Sequence, residues 1–189
     1  MKIVLASSSR YRKELLDRLG FPFETVAPRV DETPRAGEPP EDLVLRLARA
    51  KAASGARQSG PALVIASDQV AATSGRILGK PGTRENAMAN LMSIAGAKVT
   101  FMTSLVVVNP RGATHEHVDS TRVRLRDFSL DEVRRYVDLE QPLDCAGAIK
   151  SEGRGVLLLD AVETEDPTAL IGLPLIRLGA MLRAEGIKP

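Results

Sequence analysis

The sequence predicts an α/β fold built on a mixed central sheet, and three observations carry that reading. Short apolar runs rich in valine, isoleucine and leucine alternate with segments of helical period along the chain. The first of them, Lys2–Ala6, is continuously apolar after its lysine, as in a strand buried on both faces. Two longer runs, VTFMTSLVVV and HEHVDSTRVRLRDF, flank the turn Asn109-Pro-Arg-Gly112, and such a ribbon spoils a purely doubly wound parallel sheet.

The elements follow in order. A helix from about Ser9 to Leu19 carries the apolar stripe Leu15, Leu16 and Leu19, and a strand is expected at Phe23–Ala27. The polar, proline-rich loop VDETPRAGEPP leads to a helix over Glu41–Gln58, with Pro40 suited to its first turn. ALVIASDQVAA has strand character and GRILG reads as its returning arm. A helix over Arg84–Ala95 precedes the long ribbon, and another begins after Ser129, which with Glu132 forms a capping box. The loop PLDCAGAIKSEGRG, a strand at Val156–Leu159 and a helix over Pro174–Ala184 complete the chain. No internal repeat or low-complexity tract interrupts it.

The 189 residues suffice for one substantial core, so residues 1–189 are expected to form a single domain. Lysine and arginine number 26 against 24 acidic residues, a balance that argues against a dedicated nucleic-acid or membrane surface while allowing a local basic pocket. The lone Cys145 permits no disulfide framework and reads as a small packed residue rather than a nucleophile. His115 and His117 share a strand face without a third ligand nearby, so acid–base chemistry falls to carboxylates. No stretch approaches the roughly 18 apolar residues of a membrane span. The run Ile3–Ala6 is too short for a signal peptide, and the expected location is the cytoplasm.

Several charged residues sit where apolar ones belong. Arg12 lies three, four and seven residues before Leu15, Leu16 and Leu19, on their stripe. Lys51 follows Leu47 by four, near the middle of the apolar face of the second long helix. Each cation either snorkels to solvent or faces an anionic ligand; two in one small chain suggest a shared ligand. Asp68 terminates the buried run ALVIASD, where it is a turn cap or stands at a ligand site beyond a strand end. Ser7-Ser8-Ser9 opens the first helix and offers hydroxyls and N–H groups to an anion. Lys80 sits on the stiff turn Gly79-Lys-Pro-Gly82, and Glu32 lies in the loop before Pro34. Cations for a polyphosphate, with Glu32 and Asp68 as hard oxygen ligands for magnesium, make a phosphoanhydride hydrolase site.

LASSSRYRKELL, VDET, LARAKA, SDQVA, ILGKP, CAGAIKSEGRG and LIGLPL together resemble the Maf family of nucleotide pyrophosphatases over nearly the whole chain. The resemblance implies a two-lobed fold similar to inosine-triphosphate pyrophosphatases, a divalent metal (Mg2+ or Mn2+) and usually a homodimer. It implies hydrolysis of nucleoside triphosphates to the monophosphate and pyrophosphate. It makes Asp68 the catalytic base, Arg12, Lys51 and Lys80 the basic positions and Glu32 the acidic loop position. Tyr11, Gln69 and Glu152 resemble the branch that prefers 7-methyl-GTP, whereas the dTTP/UTP branch typically carries arginine, threonine and glutamine there. That choice is chemically coherent. N7-methylation makes the purine cationic, a tyrosine face attracts cations, and a carboxylate accepts hydrogen bonds from the guanine edge. A dTTP/UTP pyrophosphatase is the alternative within the family. A non-catalytic nucleotide-binding regulator of cell division is the alternative outside catalysis, but it has little use for two carboxylates that repel phosphate.

Overall fold

All four residues of β1 (Ile3–Ala6) are buried, and their alternation assigns them to two cores. Ile3 and Leu5 pack with Leu15, Leu16, Leu63, Ile65, Leu105, Val107, Leu178 and Leu182, whereas Val4 and Ala6 pack with Ala48, Ala52, Val64, Ala66 and Val106. This computed structural model describes residues 1–188. Its further elements are α1 (Arg10–Asp17), β2 (Glu24–Val26), α2 (Pro40–Ser59), β3 (Leu63–Thr73), β4 (Arg76–Leu78) and α3 (Arg84–Met92). They continue with β5 (Lys98–Val108), β6 (Thr114–Leu125), α4 (Leu130–Glu140), β7 (Leu159–Glu163) and α5 (Leu175–Ala184).

The strands form one sheet in the order β2-β1-β3-β5-β6-β7, with β4 paired to β3 beside that path. β1 runs parallel to β2 and β3, while β3 with β4 and β6 with β7 are antiparallel. The sheet is therefore mixed, as predicted. By compactness the chain divides into two units. The first comprises Met1–Asp68, Thr103–Asp119 and the chain from Asp166 onward; the second comprises Gln69–Met102 and Ser120–Glu165. In the first unit α1 and α5 supply leucines to one core and α2 supplies alanines to the other. In the second, α3 packs on α4.

Caps fall where their chemistry requires. Ser129 accepts the Glu132 N–H while the Glu132 carboxylate accepts from Ser129, completing the capping box. Pro40 occupies the first turn of α2. Two strand expectations are corrected. Val156–Leu159 is not a strand: Arg154–Leu158 is a 3-10 turn, and β7 begins at Leu159. Gly153 and Gly155 both donate to the Lys150 carbonyl at 3.1 Å, which coils the chain just before this apolar run. Nor does β3 end at Asp68; it runs on to Thr73 because Ala71–Thr73 pair with β4. Asp68 thus stands in mid-strand, which removes the turn-cap reading. The third helix stops at Met92 rather than Ala95, four residues before the left-handed Gly96. No helix among the described residues is long and apolar enough to cross a membrane.

Candidate active site

Lys51 is brought inward by the smallness of its neighbours. α2 lies against β1 and β3 through Ala48, Ala52 and Gly55, facing Ala6, Val64 and Ala66. A Cβ on Gly55 would lie 2.7 Å from the Ala6 Cβ, so only glycine permits this approach. The Lys51 side chain, 6% exposed, reaches the Asp68 Oδ1 at 2.5 Å and the Glu32 Oε1 at 2.8 Å. It does not snorkel. Asp68 is fixed from behind, because its N–H donates to the Ser104 Oγ, which in turn donates to the Val44 carbonyl of α2. The signal for Ser104 was present in the sequence as a hydroxyl pair, Thr103-Ser104, interrupting an apolar strand.

Glu32 is exposed, yet its loop is tied down. Asp31 accepts the Thr33 N–H at 2.9 Å, and Arg46 donates to the Thr33 carbonyl and to both oxygens of Glu38. The hydrogen bond from Arg46 holds the Glu38 carboxyl at about 2, well below its ordinary value. Arg46 thus fastens the loop that carries Glu32.

Arg12 turns into the first unit. Its Nε donates to the Gly172 carbonyl at 2.9 Å. Burial lowers the guanidinium pKa, opposed by the negative charges of Asp68 and Glu32, so these three groups share one electrostatic environment. Ser9 caps α1 by accepting the Arg12 N–H, and the buried Ser7 accepts the Ser9 N–H at 3.1 Å. The neighbouring Tyr11 ring already holds a cation: the Arg10 guanidinium lies 4.7 Å from its centroid and donates to its hydroxyl.

Gln69, Lys80 and Glu152 belong to the second unit. Gln69 directly follows Asp68 on β3. The turn bearing Lys80 is stapled on both sides, since Gly147 donates to the Gly79 carbonyl and Gly82 to that of Leu143. Glu152 is exposed in a loop whose flanking cations, Lys150 and Arg154, both engage Glu140. Tyr136 adds a second anchor by donating to the Ala148 carbonyl and accepting the Lys150 N–H. Burial pushes its phenol above the ordinary value and keeps it a donor. Neither anchor was foreseen, because both join α4 to a loop that shows no period.

The donor set suits a hard divalent cation only in company. Asp68 and Glu32 each place one carboxylate oxygen on the Lys51 ammonium, and among the described residues no group of three or more histidine, cysteine or acidic side chains gathers. This fits magnesium or manganese, which take one or two carboxylates and complete their shell with water and substrate phosphates. In charge the set is balanced: Arg12 and Lys51 offset Asp68 and Glu32.

The family of Maf-like proteins matches residues 2–185. A protein of Aromatoleum aromaticum that bears the name 7-methyl-GTP pyrophosphatase is 54% identical over 187 residues, covering 98% of this chain and 96% of that protein. One of the same name from Burkholderia thailandensis is 51% identical over 189 residues, covering 98% of this chain and 88% of that protein. Among solved structures, the Ham1 protein of Staphylococcus aureus superposes with a TM-score of 0.55 at 18% identity, over 98% of this chain and 100% of that one. That likeness concerns the fold alone.

Proposed function

This chain belongs to the Maf-like protein family, and on that footing we propose that it hydrolyses nucleoside triphosphates between the α- and β-phosphates, with 7-methyl-GTP as the favoured substrate. The products are the monophosphate and pyrophosphate. The observation that carries the reaction is the convergence of Lys51 on Asp68 and Glu32, with Arg12 in the same field. The base preference is supported by relatives of that name sharing 54% and 51% of aligned residues.

Asp68, the buried carboxylate of the set, takes the proton of the water that attacks the α-phosphorus. Arg12 and Lys51 stabilise the charge that develops on the phosphoryl oxygens and the leaving pyrophosphate, which supplies most of the catalysis in such transfers. Ser7 and the N-terminus of α1 bind phosphate oxygens. Lys80, on its stapled turn, is the third basic position of the family pattern and a further positive charge for the phosphates. Asp68 and Glu32 are the residues that would hold Mg2+ or Mn2+, which when bound neutralises phosphate charge and keeps the two carboxylates from repelling the substrate. Gln69 and Glu152 contact the base, with the Glu152 carboxylate accepting from the guanine N1–H and N2–H2 edge. The Tyr11 ring attracts the cationic purine, worth about 0.5–2 kcal/mol. On this reading the substrates are free nucleotides, the setting is the cytoplasm and the working form is the family's homodimer.

A screen of nucleoside triphosphates with magnesium, coupled to inorganic pyrophosphatase and phosphate detection, tests the reading. The largest kcat/KM is expected for 7-methyl-GTP. Highest turnover of dTTP or UTP would overturn the base preference, and absence of pyrophosphate from every nucleotide would overturn the reaction.

A further inference from the structure

Asp166 is a buried carboxylate, 3% exposed, that the reaction above does not use. Its hydrogen bonds show what it holds together. One oxygen accepts the Thr168 N–H at 3.0 Å and the Thr168 hydroxyl at 2.6 Å. The other accepts the Ile176 N–H at 2.7 Å and that of Arg177 at 3.4 Å, in the first turn of α5. The Thr168 hydroxyl also accepts the Leu175 N–H at 2.8 Å. One carboxylate thus clamps both ends of the segment between Asp166 and α5.

The middle of that segment is equally constrained. The Thr168 carbonyl accepts from Ile171, Gly172 and Leu173, and the Thr103 hydroxyl donates to the Ala169 carbonyl at 2.9 Å. Gly172 adopts φ +130°, a conformation that L side chains rarely enter. That angle aims its carbonyl at two donors, the Ser67 Oγ and the Arg12 Nε, each at 2.9 Å. A guanidinium held through Nε keeps its plane fixed, and the remaining N–H groups of the fork stay directed at whatever anion arrives. A flexible carbonyl could not do this.

We propose that Asp166 is the positioning residue for Arg12: by closing the Thr168–Gly172 turn it sets the carbonyl that orients the phosphate-binding guanidinium. The inference rests on Arg12 binding phosphate as described above, and it assigns a mechanical task to the LIGLPL stretch that no catalytic role explains. Oriented groups lose much of their effect when displaced by about 1 Å, on the order of 10²-fold.

The test is a double-mutant cycle on nucleotide hydrolysis, with the inhibition constant of inorganic pyrophosphate as a second readout. Asp166→Asn in the otherwise native chain should lower kcat/KM by roughly 10- to 100-fold and weaken pyrophosphate inhibition, with circular dichroism unchanged. In an Arg12→Ala background the same substitution should change either readout less than about threefold, because the group it orients is gone. Equal effects in both backgrounds would overturn the proposal and leave the reaction assignment standing. An Arg12→Ala variant with native activity and native pyrophosphate inhibition would instead overturn the phosphate-binding role of Arg12, and with it this inference. If Asp166→Asn does not fold, Thr168→Val, which removes the hydroxyl joining Asp166 to Leu175, takes its place in the same cycle and is judged by the same additivity.

Discussion

The Lys51 ammonium lies 2.5 Å from the Asp68 carboxylate, and both side chains are more than nine-tenths buried. An ion pair so enclosed is costly to break from one side. Lys51→Met should destabilise the fold by about 3–5 kcal/mol, because it strands Asp68. Lys51→Met with Asp68→Asn should recover most of that loss, since no buried carboxylate is then left without its ammonium. Chemical denaturation of the two single variants and the double variant reads the coupling; additive losses would mean that the pair does not act as a unit.

Asp68→Asn alone should fold and lose kcat by roughly 10²-fold or more, the scale of a missing general base. Steady-state kinetics on the preferred nucleotide measure it. An unimpaired variant would confine Asp68 to pairing with Lys51.

Glu152→Gln should cut the preference for 7-methyl-GTP over GTP by roughly 10- to 100-fold, as expected for one lost charge-assisted contact. Turnover of GTP itself should persist, because Arg12, Lys51 and Asp68 are untouched. An equal loss on both nucleotides would assign Glu152 to phosphate or metal instead.

Gly55→Val tests how α2 delivers Lys51. Its branched side chain cannot fit 2.7 Å from the Ala6 Cβ, so the helix must move outward. Overpacking of this kind costs about 1–3 kcal/mol, and the displacement should lower activity beyond what stability explains. A thermal melt with kinetics at a temperature where the variant is folded separates the two effects.

The loop bearing Glu32 should be acid-sensitive. The Arg46 hydrogen bond lowers the Glu38 carboxyl from 4.5 to about 2. A depressed folded-state value stabilises fully above the unfolded one, and the contribution fades as pH falls from 4.5 toward about 2. Melting temperatures measured through that window should fall more for the native chain than for Glu38→Gln. Parallel falls would show that the pair contributes nothing to stability.

What could be seen in the sequence was local or periodic. The Ser129 and Glu132 capping box, Pro40 at the start of α2, and Lys51 on an apolar face are patterns within one or two helical turns. Arg12 also stood out by period, but its partner did not: the Gly172 carbonyl is 160 residues away, and nothing in a glycine announces which donor its carbonyl will meet. Asp166 was hidden for a similar reason, since a carboxylate near a threonine and a proline reads as an ordinary turn. The continuation of β3 past Asp68 depends on pairing with β4, and the coil at Arg154–Leu158 on two glycines sharing the Lys150 carbonyl. In these cases tertiary hydrogen bonding overrode the local pattern. Short apolar runs alone cannot distinguish a strand from a turn with one buried leucine.

The central claim is that water attacks the α-phosphorus beside Asp68, and hydrolysis of 7-methyl-GTP in oxygen-18 water with magnesium tests it most directly. Phosphorus NMR with mass analysis should find one labelled oxygen in 7-methyl-GMP and unlabelled pyrophosphate as the second product. Label in pyrophosphate or in orthophosphate, or release of the diphosphate nucleotide, would contradict the account.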